Sequence, residues 1–195
     1  MANWCPLYCR IFTDEGAELH FISATKYSIP LLYRLAVCAH TETVQPRPPA
    51  APPSLDSPEP YDEYDEQAPS FRGEFAEGKQ AILAFMEKFA AANKQGGSLP
   101  EEFVARHIAD VQAGIETVSA YNPSHFQLEP TEIFSMEGEY DEMTEVLRAE
   151  IQNIQEEVER TLAEWSKEVR PLPVLSVEDQ FYSLGFGDWS GNQAT

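Results

Sequence analysis

Positive charge is what this chain of 195 residues has least of. Only 13 Lys and Arg residues stand against 33 Asp and Glu, which gives a formal net charge of −20. Proteins that bind nucleic acid neutralise its phosphates with Lys and Arg, and because no basic stripe exists here, nucleic-acid binding is disfavoured. A surface this acidic also repels anionic membranes and attracts basic proteins. The charge therefore says more about the partner than about the fold.

Long apolar runs are absent as well. No segment approaches the roughly 18–20 apolar residues that span a bilayer. The stretch Met1–Cys5 has neither the basic residues nor the apolar run of a signal peptide. We therefore expect a cytoplasmic protein without a membrane partner.

Cysteine and histidine are scarce, with three and four residues. Three cysteines cannot all pair within one chain, which favours reduced thiols. Cys5 and Cys9 could join His20 and His40 in a metal set, but the C-x3-C spacing without a second pair fits no strong zinc signature. We expect no metal site and no cofactor. Cys38 lies in an apolar stretch and is expected to pack as a small hydrophobic residue.

The sequence also lacks a recognisable catalytic motif. It contains no glycine-rich phosphate loop, no G-x-S-x-G and no Ser–His–Asp arrangement. His107 is followed four residues later by Val111 and not by a metal ligand. With so many acids, some pair of carboxylates satisfies any spacing that a glycosidase-type site needs. We predict no catalytic residue and a non-enzymatic protein.

Residues 1–40 predict a β-hairpin followed by a helix. Trp4–Phe12 is rich in β-favouring side chains, and an acidic turn with a glycine separates it from a second short strand at Glu18–Ser23. A proline after the hairpin then suits the start of a helix over Leu31–Ala39.

Residues 41–70 differ in composition, because eight of the 15 prolines lie there. Helices do not run through such proline density, and a sheet would lose its ladder donors. We predict a linker or insert that is disordered or similar to polyproline II, with a ligand for an aromatic groove as the alternative. Its acidic cluster supplies four candidate partner contacts: Asp62, Glu63, Asp65 and Glu66.

Residues 71–195 predict a helical region with a docked C-terminal tail. An apolar stripe indicates a helix within Phe71–Asn93. Ser98 and Glu101 have the spacing of a capping box for a second helix, which should pack on the first as a hairpin.

A loop with a short strand at Glu132–Ser135 is expected next, and then one helix from about Glu139 to Val169, about 45 Å long. The apolar tail Val174–Trp189 is expected to dock onto the domain. Together with residues 1–40 this region forms one α+β domain. It is mainly helical, with the N-terminal hairpin packed on a helical bundle and the Pro-rich insert between them.

The long helix carries ten acidic residues against Arg148, Arg160 and Lys167. One interpretation is a solvated face. The other is a docking surface for a basic protein, because such fields raise association rates and help to select partners. A helix made only for stability would intersperse Lys and Arg as i,i+4 partners of its acids. The candidate partner contacts on this helix are Glu145, Glu156 and Glu157.

The start of the chain resembles a family of small uncharacterised bacterial proteins. The resemblance lies in Met1–Tyr8, MANWCPLY, and Ser28–Tyr33, SIPLLY. Members of that family begin with a Met-Ala-Asn-Arg-x-Tyr-Leu-Tyr type of sequence, from which Trp4 and Pro6 depart. The likeness covers about the first forty residues. It implies a bacterial origin and no activity.

Three classes of function remain. The main prediction is an acidic binding protein that neutralises a cognate basic protein, such as the immunity protein of a bacterial toxin pair, where an acidic plug would occupy a basic toxin domain. The second is an adaptor or chaperone for a basic client. An adaptor would release its client, whereas an inhibitor holds its target almost irreversibly. The third is an enzyme with an unrecognised site, which needs a concave pocket with two or more carboxylates of perturbed pKa.

Overall fold

The structure is a computed structural model that describes residues 3–14, 16–45, 68–168, 172 and 175–189. They form an α+β fold that is mainly helical and contains an antiparallel sheet. The predicted fold class is confirmed, including the N-terminal hairpin beside the helices.

The hairpin consists of β1 (Trp4–Thr13) and β2 (Gly16–Lys26), so the second strand is longer at both ends than predicted. Gly16 has a φ of 132°, in the left-handed region that glycine adopts without strain, and this allows the tight connection. The register of the two strands shifts between Leu7 and Tyr8, which marks a β-bulge.

Three further strands complete the sheet: β3 (Glu42–Val44), β4 (Ser70–Glu74) and β5 (His125–Leu128). The strand order is β2-β1-β5-β4-β3, so the hairpin lies at one edge and β5 is central. The strand predicted at Glu132–Ser135 is wrong. That segment is helical, and the strand lies earlier, where Phe126 and Leu128 alternate with Gln127 between two neighbouring strands.

Both ends of the segment 41–70 carry strand structure, in contrast to the prediction. Thr43 and Val44 are β-branched, and they pair with Phe71 and Ser70 of β4. The prolines that argue against a ladder begin at residue 46, which lies outside the described residues.

The described residues form seven helices: α1 (Leu31–Ala36), α2 (Phe75–Gly96), α3 (Glu101–Ser119), α4 (Thr131–Glu137), α5 (Tyr140–Gln152), α6 (Ile154–Trp165) and α7 (Val177–Ser183). None of the helices in these residues combines the length and the apolar composition required to cross a membrane.

One local prediction about a helix start is wrong. α3 begins at Glu101, and its N-cap is Pro100 and not Ser98 as predicted. A capping box does form at α7, where the Ser176 hydroxyl accepts from the backbone N–H of Asp179 and the carboxylate of Asp179 accepts from the backbone N–H of Ser176.

The single long helix predicted from Glu139 is divided into α5 and α6 at Asn153. The backbone of Asn153 leaves the helical region at φ −99° and ψ 16°. Its side-chain amide donates to the carbonyl of Ala149 at 2.9 Å. Asn competes in this way for backbone groups that a helix would otherwise use, which accounts for a break that the apolar periodicity did not reveal.

α2 lies at the centre of the core. It packs against α1, α3 and α6 and contacts the sheet at β4 and β5. Its stripe of buried side chains follows the predicted periodicity and includes Ile82, Phe85 and Phe89. The ring of Phe89 contacts Trp165 of α6 and Phe186 of the tail. One continuous core therefore joins the helices, the sheet and the tail.

The tail packs against the SIPLLY segment that the sequence singles out. The backbone N–H of Leu32 donates to the carbonyl of Leu184 at 3.0 Å, and the rings of Tyr33 and Trp189 meet edge to face. Gly185 lies against Leu32 with a φ of 106°, in the left-handed region. A residue with a side chain would be strained at this φ, and its β-carbon would lie 2.9 Å from that of Leu32. Leu32 and Tyr33 thus have a structural role, in seating the C-terminal tail.

Candidate functional site

The outer face of α5 and α6 is acidic. The buried side chains of these helices, such as Leu147, Ile151 and Val158, lie on the side that faces the core. The exposed acids between residues 139 and 168 are Glu139, Asp141, Glu142, Glu145, Glu150, Glu156, Glu159, Glu164 and Glu168. We call this surface the acidic face.

Few cations neutralise the acidic face. Within the described residues, Glu145 pairs with Arg148, and Glu150 pairs with Arg34 of α1 at 3.1 Å. Among those same residues, no cation forms an ion pair with the remaining exposed acids of this face, such as Glu156 and Glu159. Like charges at neighbouring helical positions repel each other, so this arrangement costs stability.

The seven predicted partner contacts fall into three groups. Glu145 and Glu156 are exposed on the acidic face. Glu157 is half-buried, and both of its oxygens are bound by Arg34. The other four lie outside the described residues: Asp62, Glu63, Asp65 and Glu66.

The environment of Arg34 explains why Glu157 turns inward. Arg34 is on α1, and only 11% of its side chain is exposed. Its Nη1 and Nη2 atoms lie 2.6 Å and 2.7 Å from the carboxylate oxygens of Glu157, and its Nε is buried without a hydrogen-bond partner. A charge removed from water to this extent needs a paired carboxylate, and Glu157 provides it. No local sequence pattern indicates this pair, because 123 residues separate its members.

A second candidate site is an open cleft of about 580 Å³ between α3 and the C-terminal tail. Polar lining residues come from both walls: His107, Asp110 and Thr117 from α3, and Tyr182 and Asp188 from the tail. Gly114 forms part of the floor and permits the close approach of the tail, since a β-carbon there would lie 2.1 Å from the carbonyl oxygen of Trp189.

His107 and Tyr182 are linked within this cleft. The Nδ1 atom of His107 lies 2.8 Å from the carbonyl of Phe103, and its Nε2 lies 3.1 Å from the hydroxyl of Tyr182. A carbonyl can only accept, so the neutral ring carries its proton on Nδ1 and accepts the Tyr182 proton at Nε2. Sequence reasoning missed this pair, because it searched for a partner of His107 on the same helix and Tyr182 lies 75 residues away.

The cleft bears on the enzyme alternative. Asp110 and Asp188 are both among the residues that line it, and catalysis by this cleft stays a prediction. The two acids and the His107–Tyr182 pair line one cavity, and the search for a ligand at i+4 on the same helix could not reveal this.

The cysteines and histidines do not form the metal set considered from the sequence. Cys5 and Cys9 are buried free thiols, and His20 stacks on Tyr121. Burial raises the pKa of both thiols, that of Cys9 to about 11, so at neutral pH both stay protonated. Thiols that remain protonated are poor metal ligands and poor nucleophiles.

A different trio has ligand atoms that lie close together. His40, Glu74 and Glu77 each offer one atom within 4.8 Å of the others, and all three are exposed. Exposed acidic side chains commonly approach a histidine on protein surfaces through their charge alone, and the 3.6 Å contact between His40 Nε2 and Glu77 fits that description.

The fold and these surfaces define an acidic α+β protein with one charged helical face and one open cleft. The chain belongs to the family described as Domain of unknown function (DUF7822), whose model matches residues 12–168. No curated protein and no solved structure matches the chain.

Proposed function

We propose that this chain is a non-enzymatic binding protein whose acidic face docks a basic protein. The observation that carries this proposal is the set of exposed carboxylates on α5 and α6 without described cation partners. Self-repulsion destabilises these helices, and a positively charged partner would relieve it. The same field would raise the rate of association with such a partner.

The specific form of the proposal is an immunity protein that neutralises a basic toxin domain. The net charge of −20 and the small size of the chain support this form. A toxin that acts on nucleic acid needs a basic cleft, because it must hold phosphates, and an acidic helical face is complementary to such a cleft. The adaptor alternative uses the same face but requires a complex that dissociates readily.

The test is affinity capture from the native host with the tagged full-length chain, followed by washes at low and then high salt. One basic partner in 1:1 stoichiometry that survives high salt supports an inhibitor complex. A partner that is released by moderate salt favours the adaptor. A mixture of basic proteins that salt removes together would contradict both, because it would indicate a general electrostatic field.

The charge-reversal variant that tests the acidic face must spare Glu157, because Glu157 is part of the fold. Reversing Glu157 to Lys would place two cations together near α1 and destabilise the protein. Glu156 and Glu159 are exposed, form no described ion pair and lie three residues apart on α6. The double variant Glu156→Lys and Glu159→Lys therefore tests the acidic face without disturbing the core, and it should fail to capture the partner.

A further inference from the structure

The cleft between α3 and the tail has the volume of a ligand site. Its volume of about 580 Å³ lies within the range of roughly 300–1,000 Å³ that is typical of small-molecule pockets. Among the described residues that line it, none is Lys or Arg, while two are acidic, Asp110 and Asp188. The cleft is therefore suited to a positively charged group.

The hydroxyl groups in the cleft are oriented as acceptors. Thr117 donates its proton to the carbonyl of Ala113 at 2.8 Å, and Tyr182 donates its proton to Nε2 of His107 at 3.1 Å. The carbonyl of Phe103 fixes the tautomer of His107, so the direction of the second bond is determined. Both hydroxyl oxygens consequently keep lone pairs for a ligand, and together with the exposed Asp110 they offer a ligand several hydrogen-bond acceptors.

A cation on the same helix does not occupy this position. Arg106 precedes Asp110 by one turn, but its guanidinium lies over the ring of Phe103, with 5.6 Å between the guanidinium carbon and the ring centroid. No ion pair between Arg106 and Asp110 forms in the described residues. A β-carbon added at Gly187 would meet no heavy atom within 4 Å, so there is room for an alkyl chain beside the polar groups.

We infer that this cleft receives an arginine side chain presented by the basic partner, an inference that rests on the proposed function. A guanidinium carries five N–H donors in a planar fork and no acceptor, which complements a cleft lined by acceptors. It also stacks on aromatic faces, and the half-exposed ring of Tyr182 offers one at the cleft wall. The acidic face attracts the partner, and the cleft binds one of its side chains.

The experiment is an NMR titration of the 15N-labelled full-length chain with N-acetyl-arginine amide. N-acetyl-citrulline amide is the matched probe, because it has nearly the same shape without the charge. We expect saturable shifts at the backbone amides of Asp110, Thr117 and Tyr182, and affinity for the citrulline probe at least about tenfold weaker, as the loss of charge-assisted hydrogen bonds implies.

Two variants localise the site. Asp110→Asn removes one carboxylate charge from an exposed position and should weaken arginine binding about tenfold. Tyr182→Phe keeps the ring but removes the acceptor oxygen, and it should weaken binding several-fold. Asp141→Asn on α5 is the matched control, with the same chemical change on the acidic face, and should leave the affinity unchanged.

Three results would overturn the inference: no saturable shift in the cleft, equal binding of the citrulline probe, or tighter binding of N-acetyl-lysine amide. Failure of this inference is distinguishable from failure of the proposed function. If the titration fails while Glu156→Lys and Glu159→Lys still abolish partner capture, the cleft inference is wrong and the docking face stands. If arginine binds the cleft but no stoichiometric partner exists, the proposed function is wrong and a guanidinium site remains.

Discussion

Arg34 and Glu157 join two distant parts of the chain through a bidentate ion pair. The Nη1–Oε2 and Nη2–Oε1 distances are 2.6 Å and 2.7 Å, and only 22% of the Glu157 side chain is exposed. The pair ties α1, which follows the hairpin, to α6, and Glu150 of α5 adds a third contact at 3.1 Å. Glu157, predicted from the sequence to be a partner contact, therefore helps to hold the acidic helices on the domain.

Replacing Glu157 with Gln should destabilise the fold. The change leaves the largely buried Arg34 with Glu150 as its remaining anionic partner, and we expect a loss of about 2 kcal/mol in the free energy of unfolding. Glu156→Gln is the matched control, because Glu156 shares the first turn of α6 but is exposed. Its effect should stay within about 0.5 kcal/mol. Urea denaturation with both variants makes the comparison, and equal midpoints would show that the ion pair contributes nothing.

Asn93 should be a second position of high sensitivity. It is buried on α2, donates to the carbonyl of Leu99 at 2.9 Å and accepts from the indole N–H of Trp165 at 3.0 Å. Asn93→Ala leaves two buried polar groups without their partner, which should cost about 2–4 kcal/mol. Gln95→Ala, at an exposed position of the same helix, should be neutral or slightly stabilising because Ala favours helix. An unchanged melting temperature for Asn93→Ala would contradict the role of this bridge.

Gly114 and Gly187 offer a matched test of how the tail is seated. A β-carbon at Gly114 would lie 2.1 Å from the carbonyl oxygen of Trp189, whereas one at Gly187 would meet nothing within 4 Å. Gly114→Ala gains up to about 1 kcal/mol of helix propensity. The clash with backbone costs about 1–3 kcal/mol or more, so the net effect should be destabilising.

The readout for the glycine pair is the near-ultraviolet circular dichroism of the buried tryptophans and the rate of proteolysis in the tail. Gly114→Ala should reduce the near-ultraviolet signal and raise the rate of proteolysis, while Gly187→Ala should change neither quantity. A well-packed, protease-resistant tail in Gly114→Ala would mean that the contact with Trp189 relaxes without cost.

Thiol reactivity should follow burial. Burial raises the pKa of Cys5 and Cys9, that of Cys9 from 9.0 to about 11. At pH 8 the thiolate fraction of Cys9 is therefore about one hundredth of that of a thiol with the ordinary pKa. Cys38 is only half-buried, and although its pKa is also raised, it should react first with a disulfide reagent. Since a raised pKa moves ionisation to higher pH, the rate at Cys9 should still increase between pH 9 and 10.

Two comparisons check this assignment. Cys38→Ser should remove the fast phase of the native reaction, and denaturant should make all remaining thiols reactive. A fast phase that persists in Cys38→Ser would show that Cys5 or Cys9 is accessible in the native state.

Sequence patterns predicted the elements that depend on local periodicity. The hairpin, the apolar stripe of α2 and the burial of Phe181, Phe186 and Trp189 in the tail all follow from side chains close together in the chain. The central strand β5 was missed because it has only four residues and lies between β1 and β4. A strand with a neighbour on each side needs no amphipathic pattern of its own. The break at Asn153 was missed because the apolar period continues through it.

The candidate sites were predicted only in part, for a related reason. The excess of acid on α5 and α6 is visible in the composition of one segment, and Glu145 and Glu156 are exposed as that interpretation requires. The pairing of Glu157 with Arg34 and of His107 with Tyr182 joins residues 123 and 75 positions apart. Such contacts arise from tertiary packing, and single-sequence patterns carry no information about them.

The central claim is that the acidic face accelerates docking of a basic protein. The most direct measurement is the association rate constant of the captured partner, by stopped flow, as a function of ionic strength. The wild-type rate should fall steeply with salt, and Glu156→Lys with Glu159→Lys should lower the low-salt rate at least about tenfold. Glu87→Lys with Glu102→Lys, which makes the same change in net charge at exposed positions of α2 and α3, should have a much smaller effect. Equal losses in the two double variants would show that net charge alone steers the partner, and the claim for the acidic face would be wrong.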